Sequence, residues 1–253
     1  MGYPGSLPSL SADAVKAAVL ASHALKCNIH QLSRFERKHY TYADMPNGYQ
    51  VTQQRWPLAS KGLLQCRLSG NDNPNAKKKK GRTNKKEFNV GIERIQLEQD
   101  SGKTTARRGA SLVDLNRAGC ALIEIVSSPD IRSADEAGAA FSTVHQLLRH
   151  IGVCDGKMEE GSLRCDLNVS IAPIFDDVDV NFSESDIQKN NPFASYLPKN
   201  TGHRVEVKNL NSFKQGMFLA LFIRAIGFQS RIPLPSILYP NEIILFYRWN
   251  LIQ

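Results

Sequence analysis

Residues 162–171 read SLRCDLNVSI, an alternation without error. Leu163, Cys165, Leu167, Val169 and Ile171 fall on one side; Ser162, Arg164, Asp166, Asn168 and Ser170 fall on the other. A strand has a side-chain period of two, so the segment predicts one apolar face for a core and one polar face. That polar face holds a cation, an anion, an amide and two hydroxyls, whereas an ordinary solvated strand carries Lys, Thr or Glu. Taken alone, the segment is equally well read as a solvated face.

Two more segments share the pattern. In residues 203–209, HRVEVKN, Val205 and Val207 oppose Arg204, Glu206 and Lys208. In residues 88–100, FNVGIERIQLEQD, strict alternation puts Phe88, Val90 and Ile92 on one face with Arg94, Gln96, Glu98 and Asp100. Each could be an ion-paired surface strand, but three together predict a sheet whose charged face lines a polar site. Residues 120–126, CALIEIV, are sharper, because Glu124 interrupts an apolar run of the kind that forms a doubly buried strand. Burying an unpaired carboxylate costs several kcal/mol, so such a group is paired, protonated or metal-bound. Either an Arg partner or a hard cation would satisfy it. Glu98 and Glu124, with Asp166, would offer magnesium the oxygen ligands it takes alongside water and phosphate.

With 253 residues, 42% of them hydrophobic, the chain can bury a real core in one or two domains. A net charge of +8 favours an anionic partner such as nucleic acid or nucleotide. Much of it lies in residues 71–86, where seven Lys and Arg sit among Asn, Gly and Pro: a solvated loop on the simplest reading, an RNA-backbone contact on the other. Cys27, Cys66, Cys120, Cys154 and Cys165 form no C-x-x-C pair, which argues against a disulfide framework or a zinc site and fits a reducing compartment. The opening MGYPGSLPSL shows no targeting signal, and only a weak myristoylation pattern at Met1, Gly2 and Ser6. No uncharged apolar run reaches the ~18–20 residues of a membrane span, so no membrane insertion is expected.

Residues 11–26 predict a helix capped by Ser11, with Val15, Ala18, Val19 and Leu25 as its stripe. Residues 134–150 predict a second, opened by a Ser133–Glu136 capping box and ended by Gly152. Between helix and strands, residues 33–54 gather Arg34, Arg37, Lys38, Tyr40 and Tyr49 around a Pro46-Asn47-Gly48 turn. These could grip phosphate and stack on bases, or form an ordinary surface hairpin. The order of elements gives an α+β class with a mainly antiparallel sheet and flanking helices. No glycine loop for phosphate is present. Residues 216–253 stand apart, rich in aromatics with only Arg224, Arg231, Glu242 and Arg248 charged, and read as an atypical hydrophobic tail.

Five stretches carry a resemblance: SRFERKHYTYADMPNGYQVTQ, VGIERIQLEQDSGK, SLVDLNRAGCALIEIVSSPDIRS, GVCDGKMEEGSLRCDLNVSI and HRVEVKNLNSF. Together they resemble the B subunit of the glutamyl-tRNA(Gln)/aspartyl-tRNA(Asn) amidotransferases, and eukaryotic mitochondrial members in particular. The resemblance implies a cradle-shaped catalytic domain similar to glutamine synthetase and the guanidino kinases. The implied enzyme is a carbon–nitrogen ligase with glutamine as amido donor: ATP phosphorylates the glutamyl carboxylate of Glu-tRNA(Gln), and ammonia displaces the phosphate to give Gln-tRNA(Gln). Implied partners are an amidase of the A type and a small third subunit of C or F type; implied cofactors are ATP and Mg2+; the implied location is the mitochondrial matrix. Carried over by motif, the metal-binding carboxylates fall on Glu98 and Glu124, with Asp166 as an additional ligand. Arg164, Lys208 and Arg94 would offset phosphate charge, with Glu98, Glu124, Arg164 and Lys208 the catalytic set. Glu159 and Glu160 would hold a loop or a second ion.

The departures set further expectations. The family has His at Gln96, Glu at Gln99 and Glu at Ser128. Residues 71–86 and 176–200 read as insertions in a partial cradle spanning 1–215. The family's G-L-E-I-H strand does not precede the opening segment, and the tail stands where helical and tail domains would follow, so the chain reads as truncated at both ends. The alternative function is a catalytically incompetent RNA-binding or scaffold fragment of the same complex, and a second is a small-molecule ligase of the glutamine-synthetase type.

Overall fold

Leu163, Cys165, Leu167 and Val169 all reach the main apolar core, as their alternation requires. The computed structural model describes residues 5–68, 87–173, 205–210 and 236–248. Its main sheet is built from β1 (Asn28–Ile29), β4 (Ala59–Arg67), β5 (Glu87–Gln99), β8 (Ala121–Ser127), β9 (Leu163–Pro173), β10 (Val205–Leu210) and β11 (Ser236–Arg248). Among the described residues these seven strands lie in the order β1-β4-β5-β8-β11-β9-β10, every neighbouring pair antiparallel. Two hairpins, β2 (Glu36–His39) with β3 (Tyr49–Thr52) and β6 (Lys103–Arg107) with β7 (Ala110–Asp114), form separate ribbons. With the two helices below, this is the expected α+β class.

Helix α1 (Ala12–Ala24) starts where Ser11 Oγ accepts from the Ala14 amide at 3.4 Å. Its buried face is Ala14, Ala17, Ala18, Ala21 and Ser22, rotated from the expected stripe, so that Val15 and Val19 are only partly buried. Small side chains explain the rotation, because they let the helix end lie against β4. There Leu25 O accepts from the Leu63 amide at 2.8 Å, and a Cβ on Gly62 would meet that same oxygen at 2.8 Å. Helix α2 (Ala134–His150) has the expected bounds, and Ala137, Ala140, Phe141, Val144 and Leu148 are buried. Ser133 Oγ accepts from the Glu136 amide at 3.2 Å, but the reciprocal bond goes one residue early: Glu136 Oε2 accepts from the Arg132 amide at 2.8 Å. Gly152 then turns the chain with φ +71. Both helices share one core with the apolar face of the sheet, leaving the opposite face to polar groups.

On β5 strict alternation fails. Val90 and Ile92 lie in the core, but so do Ile95 and Leu97, because the ladder with β8 shifts by one residue between Ile92 and Arg94. One extra residue in a strand reverses which face every later side chain takes. Glu93 is exposed at that point, and opposite it on β4 Lys61 takes φ +56. Arg94, Gln96 and Glu98 therefore occupy the face away from Val90 and Ile92, a correction to the sequence reading.

Residues 69–86, 174–204 and 211–235 lie outside the described residues, and with them both expected insertions, His203 and Arg204. Within the segment set apart as a tail, β11 stands between β8 and β9, with Phe246 opposite both Glu124 and Arg164. No helix among the described residues is long and apolar enough to cross a membrane.

Candidate functional site

The reversal on β5 brings Gln96 opposite Glu124 on β8, and both point to the polar face with Glu98. The Gln96 amide nitrogen donates to Glu98 Oε1 at 2.9 Å and to Glu124 Oε2 at 2.7 Å. All three side chains are buried. Burial pushes the Glu124 carboxyl up to about 9; the negative charge of Glu98 and a hydrogen bond with it push the same way, while Gln96 and Arg94 pull back. Without a cation beside it, Glu124 thus keeps its proton at neutral pH.

The β2–β3 hairpin closes over the pair. Thr52 Oγ1 donates to Glu98 Oε1 at 2.6 Å and accepts from Gln96 at 3.1 Å. Gln50 donates to Glu98 Oε2 at 3.2 Å and to Gln99 O at 2.8 Å. Thr52 pairs with Glu36 and Gln50 with Lys38, and cross-strand partners share a face, so Lys38 lies on the side turned to the acids. Burial alone would lower the Lys38 ammonium, but the Tyr40 hydroxyl and the negative fields of Tyr40, Glu98 and Glu124 leave it raised. On the other face Arg37 stacks 4.5 Å from the Tyr49 ring centre.

Of the expected site residues, Glu98, Glu124 and Arg94 come together. Arg94 donates to Gln96 Oε1 at 2.9 Å and to Glu93, and its charge acts on Glu124. Arg164 is engaged elsewhere: its Nη2 lies 3.0 Å from Oδ1 of Asp100, whose Oδ2 is 3.9 Å from Arg117 Nε. Asp166 is buried on β9, but its backbone partner Ile244 intervenes between it and Val126 of β8. At ~4.8 Å per strand, that spacing sets Asp166 and Arg164 about 10 Å from β8 along the sheet. Lys208 sits on edge strand β10, 3.3 Å from Glu206. Glu159 and Glu160 are exposed, and Glu160 pairs with Lys157 at 3.0 Å. Among the described residues no three His, Cys, Asp or Glu side chains form a metal-binding group, so the expected triad of Glu98, Glu124 and Asp166 does not assemble as one cluster.

Sequence reading missed Thr52, Gln50 and the part played by Gln96. Neutral side chains at a carboxylate carry no compositional signal, and the only hint was that Gln96 stands where the resembling family has His.

A buried pair of acids on adjacent antiparallel strands, bridged by an amide and roofed by a basic hairpin, suits a site for divalent cation and phosphate. The chain belongs to the GatB/GatE catalytic-domain family, whose model matches residues 1–217. It is 44% identical over 215 residues to the chloroplastic/mitochondrial B subunit of the glutamyl-tRNA(Gln) amidotransferase of Ostreococcus tauri, covering 83% of this chain and 36% of that protein. The mitochondrial B subunit of Phytophthora infestans is 41% identical over 249 residues, with 85% and 42% covered. The B subunit of a bacterial aspartyl/glutamyl-tRNA(Asn/Gln) amidotransferase, from Treponema denticola, is 43% identical over 197 residues, with 77% and 38% covered. The chain therefore spans well under half the length of these curated relatives.

Proposed function

We infer that the chain supplies the phosphoryl-transfer half of a tRNA-dependent amidotransferase. In this reading ATP phosphorylates the glutamyl carboxylate of Glu-tRNA(Gln), and ammonia, released from glutamine by an amidase partner of the A type, displaces the phosphate to give Gln-tRNA(Gln). A small third subunit would brace the complex. Residues 1–215 would form a partial cradle of the glutamine-synthetase and guanidino-kinase type, and likeness to the organellar relatives favours the mitochondrial matrix.

The observation that carries the reading is the Glu98–Glu124 pair. Two carboxylates buried against each other cannot both ionise without a cation, and Glu124 keeps a proton that a divalent ion would displace. Magnesium commonly takes one or two protein carboxylates and completes its shell with water and phosphate, so a two-acid site fits it. Glu98 and Glu124 would hold the ion, whose chemistry there is to neutralise phosphate charge. Gln96 and Thr52 fix the orientation of both acids through the hydrogen bonds above. Arg94 and Lys38 add positive charge next to them, which favours an anionic group brought to this face. The Asp100 carboxylate holds the Arg164 guanidinium in place, so Arg164 would act on phosphate only from that fixed position.

The test is ATP- and glutamine-dependent conversion of Glu-tRNA(Gln) by the full-length chain with its partner subunits. Conversion that depends on all three substrates is expected. A complex that binds tRNA but never turns over would make the chain an RNA-binding scaffold, and ATP hydrolysis indifferent to tRNA would make it a small-molecule ligase.

A further inference from the structure

The β6–β7 ribbon leaves the sheet immediately after the acid-pair strand, and all ten of its strand residues are exposed. An isolated two-stranded hairpin is at best marginally stable in water, so a ribbon bare on both faces is poised for a partner. Its base is firm. The Gly102 amide donates to Asp44 O at 2.8 Å, and the Arg117 guanidinium donates to Ser101 O and Gly102 O, each at 2.9 Å. From there it projects about 16 Å, taking ~3.3 Å per residue over five residues. At the tip Gly109 turns with φ +77, and a Cβ there would meet nothing within 4 Å.

The composition selects the partner. KTTARRGASLVD offers Lys103, Arg107 and Arg108 against the single acid Asp114, with Thr104, Thr105 and Ser111 hydroxyls between. The salt bridges found among the described residues leave all three of these cations aside. Leu112 and Val113 are exposed, but they pair with Thr105 and Thr104 in turn, one on each face, so no apolar patch forms. Protein interfaces concentrate aromatic side chains, Met and Arg and are poor in Lys, Ser and Ala; of the enriched types this ribbon has only its two arginines, and it has no aromatic or Met. Cations, hydroxyls and a glycine tip are instead what bonds phosphate oxygens.

We propose that the β6–β7 ribbon is an RNA-binding arm that grips the sugar–phosphate backbone of the substrate tRNA through Arg107, Arg108 and Lys103, beside the acid pair. The inference rests on the tRNA reading above and names an element that reading does not need. Each phosphate contact releases counterions, so removing one flattens the salt dependence of binding by nearly one unit of slope.

The experiment measures tRNA(Gln) binding by the full-length chain in its assembled complex, across roughly 50–200 mM salt. R107Q/R108Q should weaken binding at low salt and cut the slope by about 1–2, while R107K/R108K keeps most of both. An unchanged slope in R107Q/R108Q overturns the arm, and so does failure of the complex to assemble with RNA affinity intact, which would make the ribbon a protein contact. E98Q, run in parallel, should bind tRNA with the wild-type slope. If E98Q turns over normally while R107Q/R108Q flattens the slope, the acid-pair reading fails and the arm stands; a wild-type complex that ignores tRNA sinks both.

Discussion

Glu98 and Glu124 share one hydrogen-bond donor: the Gln96 amide lies 2.9 Å from an oxygen of the first and 2.7 Å from an oxygen of the second. A single neutral side chain thus sets the spacing of two buried acids.

Removing one acid from the pair should stop chemistry and leave assembly intact. Glu98→Gln or Glu124→Gln in a complete complex is expected to lower transamidation at least ~100-fold, the range seen for lost electrostatic stabilisers of a transition state. Product formation from Glu-tRNA(Gln), with size-exclusion of the complex as control, checks this; near-normal turnover in either variant would refute the cation role.

The proton on Glu124 makes stability depend on pH. Its folded-state pKa, about 9, stands above the ordinary carboxylate range, so the folded form binds the extra proton. The stabilisation is full below the unfolded pKa and is lost as pH rises toward 9. In chelator, the melting temperature should therefore fall between pH 6 and 8.5 more steeply for wild type than for Glu124→Gln. Added magnesium should restore more of it at the higher pH, where less proton has to be displaced. Parallel melting curves for the two proteins would contradict a protonated Glu124.

Thr52 reaches the acids from another element and is open to a clean substitution. Thr52→Val keeps the shape but removes the donor 2.6 Å from Glu98. Glu98 Oε1 then keeps only the Gln96 donor; losing one hydrogen bond to a charged group costs about 1.5–3 kcal/mol, which urea unfolding would register, and Thr52→Ser should recover most of it. No difference between Val and Ser would mean that the hairpin does not close on Glu98.

Gly62 tests the packing behind the site. An added Cβ would collide with Cys27 Sγ and lie 2.8 Å from Leu25 O. Gly62→Ala should cost on the order of 1–3 kcal/mol as helix α1 is pushed off β4, visible as a lower urea midpoint with an unchanged slope. A neutral result would show that the helix end moves freely.

What could be read from the residues alone followed from local periodicity. Helix α2 and the two faces of β9 were legible because Phe141, Val144 and Leu148, or Leu163, Cys165 and Leu167, repeat without a fault. Glu124 was legible because a lone acid in CALIEIV is costly wherever it is buried. The phase of β5 was missed: it changes at Glu93, where the apolar positions pass from Val90 and Ile92 to Ile95 and Leu97, and strict alternation ran through a residue that only the pairing with β8 makes extra. So was the roof, since Thr52 and Glu98 are 46 residues apart and meet only in three dimensions.

The offset at Glu93 carries a consequence for heredity. Losing that one codon in frame would restore uniform alternation along β5, and a gene-reading eye would judge the result a better strand. Val90, Ile92, Ile95 and Leu97 would still share the oily layer and Gln96 and Glu98 the polar one, yet the ladder with β4, which runs past Glu93 with no shift, would slip by one residue. A lineage that keeps the acids can drift in the identity of many nearby letters, but hardly in their number.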